Sequence, residues 1–212
     1  MAGMPPEAQR RAVMLAGLAA VPAWLAGCSL PSAPRQEFHL LRDGGAASPS
    51  GNAPAAPRVD KVLLVNAHAS PGLYGGDRMV FSADGHSRSY FQFGYWSERP
   101  AQTLQTLAIA RLAQAQRFSE VASSTAGVRG ELLLTLRLDE LYLDASADPG
   151  QVRLIVNAEL VDWRQRSLLA RRTVQHVTAA PQRDASGLAS AASLAVGALL
   201  DDLVAWAAAA AA

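Results

Sequence analysis

Residues 132–144 read LLLTLRLDELYLD, and this stretch decides the fold. Leu132, Leu134, Leu136 and Leu138 take alternate positions, with Leu133, Thr135, Arg137 and Asp139 between them. Successive side chains of a strand point to opposite faces, so the leucines at even positions line one face. After Asp139-Glu140 the apolar residues move to Leu141 and Leu143, the opposite parity. A phase change of one residue is what a β-bulge produces.

Working outward, Ala147-Asp148-Pro149-Gly150 is a turn, and Val152, Leu154, Val156, Ala158 and Leu160 alternate in a second strand. Arg164 to Ser167 turns the chain back into Leu168–Val177, which completes an antiparallel meander. Upstream, Phe118–Val121 begins a strand and Val59–Ala67 (VDKVLLVNA) forms another. Ser70–Asp77, with Pro71, Gly72, Gly75 and Gly76, is a loop. Met79–Phe81 and Arg88–Trp96 flank Ala83-Asp84-Gly85-His86, a hairpin signal. Phe38–Leu41 is a short strand.

Two helices complete the pattern. Pro100 suits a first turn, and Leu104, Leu107, Ala108, Leu112 and Ala115 follow at helical spacing with Arg111 at the edge of the stripe. Asp184 is placed to cap a final helix lined by Leu188, Ala192, Ala195, Leu199 and Trp206. Asp201-Asp202 interrupts its apolar run, so it is not read as a membrane span, and the Ala tail 207–212 extends it or frays. The fold class is therefore α+β: a largely antiparallel sheet with two main helices packed on it, in one domain over residues 36–206.

The second hairpin arm is unusually aromatic. Tyr90, Phe91, Phe93, Tyr95 and Trp96 are five of the chain's 13 aromatic residues. Strict alternation would put Phe91, Phe93 and Tyr95 on one face and Tyr90 and Trp96 on the other. Such a strand is either buried on both sides or carries a docking surface on one.

Composition excludes more than it names. Nineteen Lys and Arg face 18 Asp and Glu, so no basic excess argues for nucleic acid. A single cysteine makes no internal disulfide, Cys-ligated zinc site or iron–sulfur cluster. No G-x-S-x-G, H-E-x-x-H or P-loop motif occurs, and His39, His68, His86 and His176 lie far apart in unlike settings. Asp139-Glu140 and Asp201-Asp202 are neighbours that point apart on regular elements, so they make poor acid–base pairs. No catalytic residue, metal or cofactor is expected.

The one cysteine sits at an address. Arg10 and Arg11 precede a charge-free run from Ala12 to Ala26, about 22 Å as a helix and short of the ~30 Å hydrocarbon layer. This is a signal-peptide core, and it ends Leu25-Ala26-Gly27-Cys28. The tetrapeptide resembles the bacterial lipobox, in which the cysteine thiol receives a diacylglyceryl group and becomes the first mature residue. Several acyl chains make a stable anchor. Ser29 follows, and an Asp there would favour inner-membrane retention by resemblance to enterobacterial lipoproteins. Ser29 therefore points to the outer membrane, facing the periplasm. Removing residues 1–27 takes Arg10, Arg11 and Glu7, so the mature chain has no net charge. Residues 28–35 read as a lipidated tether, and the Gly/Ala/Ser/Pro-rich 43–57 as a flexible linker.

Tyr90–Leu112, YFQFGYWSERPAQTLQTLAIARL, resembles the core motif of the ABC-type transport auxiliary lipoproteins, the PqiC-like family. There an aromatic strand ends in Trp, an acidic residue and Pro before a leucine-patterned helix; here these are Trp96, Glu98 and Pro100. The likeness continues through LLLTLRLDEL, the hairpin LIVNAELVDWRQRSLLARRTV and the last helix. It implies a non-catalytic component of an ABC transport system with an MCE-type periplasmic protein, moving phospholipid or other hydrophobic cargo across the envelope. Its partners would be the membrane, through Cys28, the MCE-type protein with its permease and ATPase, and phospholipid. A homo-oligomer is left open. Tyr90, Phe91, Phe93, Tyr95 and Trp96 are the candidate docking residues, against the alternative that they are core. The rival readings are a lipid-binding lipoprotein and a lipid-anchored hydrolase, the latter with Ser70 and His68 as its most obvious pair.

Overall fold

The structure, a computed structural model, describes residues 35–45 and 58–212. Eight strands and two helices follow in the order β1 (Glu37–His39), β2 (Val59–Ala69), β3 (Arg78–Ser82), β4 (Ser89–Trp96), α1 (Pro100–Gln114), β5 (Phe118–Ser123), β6 (Leu132–Asp144), β7 (Gln151–Asp162), β8 (Ser167–Ala179) and α2 (Ala185–Ala211). The class is α+β, with all eight strands in one sheet.

β6 is the central strand. Along one edge it pairs antiparallel with β7 over nearly its whole length, and β7 pairs antiparallel with β8. Along the other edge its first half pairs with β2 and its last residues with β3, both parallel. β5 lies parallel outside β2, and the β3–β4 hairpin carries β1 parallel on its far side. The two longest ladders are antiparallel, and shorter parallel pairings join them to the rest of the sheet.

The bulge falls at Asp139. Leu138 faces Val156 and Glu140 faces Ile155, so Asp139 has no cross-strand partner. The extra residue keeps Leu141 and Leu143 in the same core as Leu132, Leu134, Leu136 and Leu138. All six are 0–2% exposed, as are Val152, Leu154, Val156, Ala158 and Leu160 on β7. Burying each leucine stabilises the fold by about 1.5–3 kcal/mol.

Both helices cover this face. α1 lies against β2 and β5, α2 against β7 and β8, and the helices touch each other. α1 starts at Pro100, whose missing N–H needs no partner there, and buries Ala101, Leu104, Ala108 and Leu112. The Asp184 carboxylate accepts a hydrogen bond from the Gly187 N–H at 2.8 Å and caps α2. α2 buries Leu188, Ala192, Ala195, Leu199 and Leu203, and the alanine tail continues it with Ala207, Ala208 and Ala211 buried. By length and composition α2 could cross a membrane. In this fold its apolar side is spent on the sheet.

The start of the Gly/Ala/Ser/Pro-rich segment is held down, which narrows the linker expected from residue 43. The Gly44 N–H donates to the Ser193 carbonyl (2.9 Å), and Ser193 Oγ accepts from the Arg42 N–H (3.1 Å). The crossing requires a glycine on α2: a Cβ at Gly197 would stand 2.0 Å from the Gly45 nitrogen. Residues 46–57 lie outside the described residues, as do residues 1–34 with Cys28 and Ser29.

Candidate functional surfaces

Three polar or aromatic groupings sit on this frame. The first is the aromatic arm, and its five residues do not share one surface. β4 faces β3 with Arg78 opposite Tyr95 and Val80 opposite Tyr90, so β4 holds three residues more than β3 over that interval. The surplus breaks the alternation expected from sequence. Phe91 and Trp96, of opposite parity, both turn toward the helices. Trp96 is 3% exposed and belongs to the core, which leaves it no exposed role in docking. Phe91 is half-buried with its ring 4.7 Å from that of Phe81. Tyr90 lies beneath the Arg78 guanidinium at 4.2 Å, and Tyr95 is 5.7 Å from the Phe38 ring. Phe93 is half-buried. Gly94 permits the path, since a Cβ there would stand 2.8 Å from the Ala185 Cβ at the start of α2.

The second grouping surrounds the bulge on the face away from the helices. Asp139 accepts from the Ser70 hydroxyl, from the Asn157 amide and from Arg137 Nε at 2.8 Å. Asn157 Oδ1 in turn accepts from the Thr173 hydroxyl at 2.5 Å. The Arg137 guanidinium, with the Ser70 and Asn157 donors, holds the Asp139 carboxyl below its ordinary range. A carboxylate so stabilised is a weak base. Ser70 therefore donates to a group unsuited to activating it, while His68 is exposed on β2 with no hydrogen bond to Ser70. The sequence reads Asp139 and Glu140 as a poor acid–base pair, with no partner named for Asp139. The bulge was the available signal, because the extra residue turns Asp139 toward Ser70 and Asn157.

The third grouping links both helices to the segment after β1. Arg111 donates from Nε to Asp43 at 2.9 Å and from a terminal nitrogen to the same carboxylate at 2.6 Å. It also pairs with Asp201 on α2. Asp202 turns instead to His176 on β8, 3.1 Å away. The adjacent carboxylates thus diverge and serve different partners.

Among the described residues, large apolar side chains reach solvent on β8 (Leu168, Leu169 and Val177), on α2 (Leu194) and in two further places. At one end of the sheet an open cleft of about 560 Å³ is lined by Leu64, Val128, Arg129, Glu131, Trp163 and Arg164, with Trp163 57% exposed. Phe38 on β1 is 63% exposed and Leu40, just after it, 53%. Among the described residues no group of three or more His, Cys, Asp or Glu is placed to hold a metal.

The family model described as ABC-type transport auxiliary lipoprotein component matches residues 41–204, and the chain belongs to that family. Membership makes it an envelope-associated lipoprotein of a transport system. No curated protein matches the chain in sequence. Among solved structures it is similar to protein XCC0632 from Xanthomonas campestris, of family DUF330: 19% identity, TM-score 0.67, covering 74% of this chain and 90% of that one. An uncharacterized protein is similar at 14% identity and TM-score 0.63, over 82% of this chain and 99% of the other. The PelC dodecamer from Paraburkholderia phytofirmans is 16% identical with a TM-score of 0.44, over 70% and 92% of the two chains. At these identities the first two likenesses speak to the fold alone.

Proposed function

We propose that this protein is a non-catalytic, lipid-anchored periplasmic component of an MCE-type ABC transport system that moves phospholipid or other hydrophobic cargo across the envelope. The observation that carries the reading is the family match over residues 41–204, a short chain length behind the lipobox-like Leu25-Ala26-Gly27-Cys28. Cys28 takes the acyl chains, and Ser29 in the next position directs the protein to the outer membrane. The body contributes surfaces rather than chemistry: Ser70 is bound to a carboxylate with a lowered pKa, and the layer between helices and sheet is filled by leucine, valine and alanine. Partner contacts then fall to the outer surface, where the half-buried Tyr90, Phe93 and Tyr95 are candidates.

Replacing Cys28 by Ala tests the anchor. Wild-type protein is expected in the outer-membrane fraction with acyl mass on Cys28. The variant is expected in the soluble periplasmic fraction with an unchanged circular dichroism spectrum. Recovery of the Cys28→Ala protein in the outer-membrane fraction would sink the anchor.

A further inference from the structure

β1 and the two residues that follow it present their side chains the wrong way round for an ordinary edge strand. Phe38 and Leu40 point outward at 63% and 53% exposure, while His39 and Leu41 turn in and Leu41 joins the core. Large exposed apolar side chains on successive outward positions mark a contact surface more often than a lone exposed residue does. Tyr95 extends the strip through its contact with Phe38.

The strip cannot fold itself away. β1 is hydrogen-bonded to β4 in the register Glu37–Gly94, Phe38–Tyr95 and His39–Trp96, and the Ser97 N–H donates to the His39 carbonyl at 2.8 Å. Just beyond, the Asp43–Arg111 pair and the Gly44–Ser193 bond pin the chain to both helices. Phe38 and Leu40 are therefore presented on a fixed frame.

Chain length says what they meet. Phe38 follows Cys28 by ten residues, at most about 35 Å of extended chain. An acylated Cys28 keeps β1 that close to a lipid surface at all times. Tethering on this scale sets an effective concentration near the millimolar range, so a contact too weak to form between free partners is occupied when tethered. Along the chain, exposed Arg35 and Arg42 bracket Phe38 and Leu40 with exposed Glu37 between them, and exposed Asp77, Arg78, Glu98 and Arg99 lie by the paired end of β4, a mixed-charge rim with arginine on both sides. Apolar side chains bracketed by arginines are the composition of an interfacial contact.

We propose that Phe38 and Leu40 insert into the surface of the membrane that carries the acyl anchor, so that the body is held at two points and in one orientation. This rests on lipid attachment at Cys28 as proposed above. The orientation would turn the β1–β4 edge toward the lipid and leave the β8 edge free for protein partners.

The test uses the full lipidated protein in vesicles of phosphatidylethanolamine and phosphatidylglycerol. Once Cys28 is acylated, no free thiol remains, so Leu40→Cys takes an environment-sensitive fluorophore at one position. Gln175→Cys, exposed on β8, serves as the reference. The label at 40 is expected to shift to the blue and to be quenched several-fold more than the label at 175 by a lipid-borne quencher. Equal quenching at both positions, on protein that carries acyl chains and floats with the vesicles, overturns the membrane contact alone. Shielding at 40 that grows with protein density and ignores the quencher assigns the strip to a second copy and overturns it too. Protein without acyl mass on Cys28 that fails to float overturns the anchor and the contact together.

Discussion

The two faces of the β6–β7 pair are built from alternate residues of the same two strands and differ in almost every physical respect. Toward the helices stand Leu132, Leu134, Leu136 and Leu138 with Val152, Leu154, Val156, Ala158 and Leu160, all without access to water. Away from the helices stand Arg137, Asp139, Asn157 and Glu159, continued onto β8 by Thr173 and by Arg171, whose Nε lies 2.8 Å from Glu159 Oε1. The first face is held by area removed from water and does not depend on exact direction. The second is held by directional bonds, partly in water, where each is worth little net. One face should therefore govern stability and the other local geometry and pH response.

The largest effect is expected on the covered face. Leu136→Ala removes a fully buried side chain at the middle of β6, under both helices, where little can collapse into the gap. A loss of about 2–5 kcal/mol is expected, the ordinary cost of such a cavity. Urea unfolding should show it as a lower midpoint with an unchanged slope. A loss below about 1 kcal/mol would mean that the layer rearranges easily, and the contrast between the faces would fail.

How much of this contrast was legible in the sequence depends on distance along the chain. The phase change at Asp139 is local, and it appeared where alternation placed it. So did the β3–β4 turn, where the Asp84 carboxylate accepts from the His86 and Ser87 N–H groups and is thereby held far below its ordinary range. The caps at Pro100 and Asp184 were equally local. The parallel pairing of β2 with β5 and β6 was not legible, because it joins segments some 60–70 residues apart with no turn to set the register. The aromatic arm misled, because alternation assumes a regular partner and β3 is too short to supply one. Arg111 read as the edge of a stripe, since its partners Asp43 and Asp201 lie 68 and 90 residues away.

Arg111 stands between the two faces in character, being a directional interaction in a mostly buried place. Arg111→Gln keeps a polar side chain but is shorter and uncharged, and it leaves Asp43 without its cation, with Asp201 too exposed to contribute much. A loss of about 1–2 kcal/mol is expected, smaller than the leucine truncation. The distinctive result is local. The Gly44 amide, bonded to Ser193 beside the pair, should exchange its hydrogen several-fold faster while amides of β6 and β7 slow or quicken only with global stability. Unchanged exchange at Gly44 would show that the segment is held by Gly197 and Ser193 alone.

The smallest effect is expected at the bulge, and its value lies in its pH dependence. Asp139→Asn preserves shape but removes the charge that Arg137, Ser70 and Asn157 stabilise. Because Arg137 is half-exposed, the loss at neutral pH should be only about 0.5–1 kcal/mol. The folded-state pKa of Asp139 lies below its ordinary value of 3.8, so the unfolded chain binds the proton more readily than the folded one. The stabilisation is therefore complete above that ordinary value and is lost as pH falls through the lowered one. Wild type and variant should differ by a constant amount from neutrality down to about pH 5, converge below about pH 4, and coincide in stronger acid. Leu136→Ala, which touches no titrating group, should stay displaced from wild type by nearly the same amount throughout. A bulge variant whose deficit persisted unchanged into strong acid would show that Asp139 acts through shape rather than charge, and the two faces would then differ less than their chemistry implies.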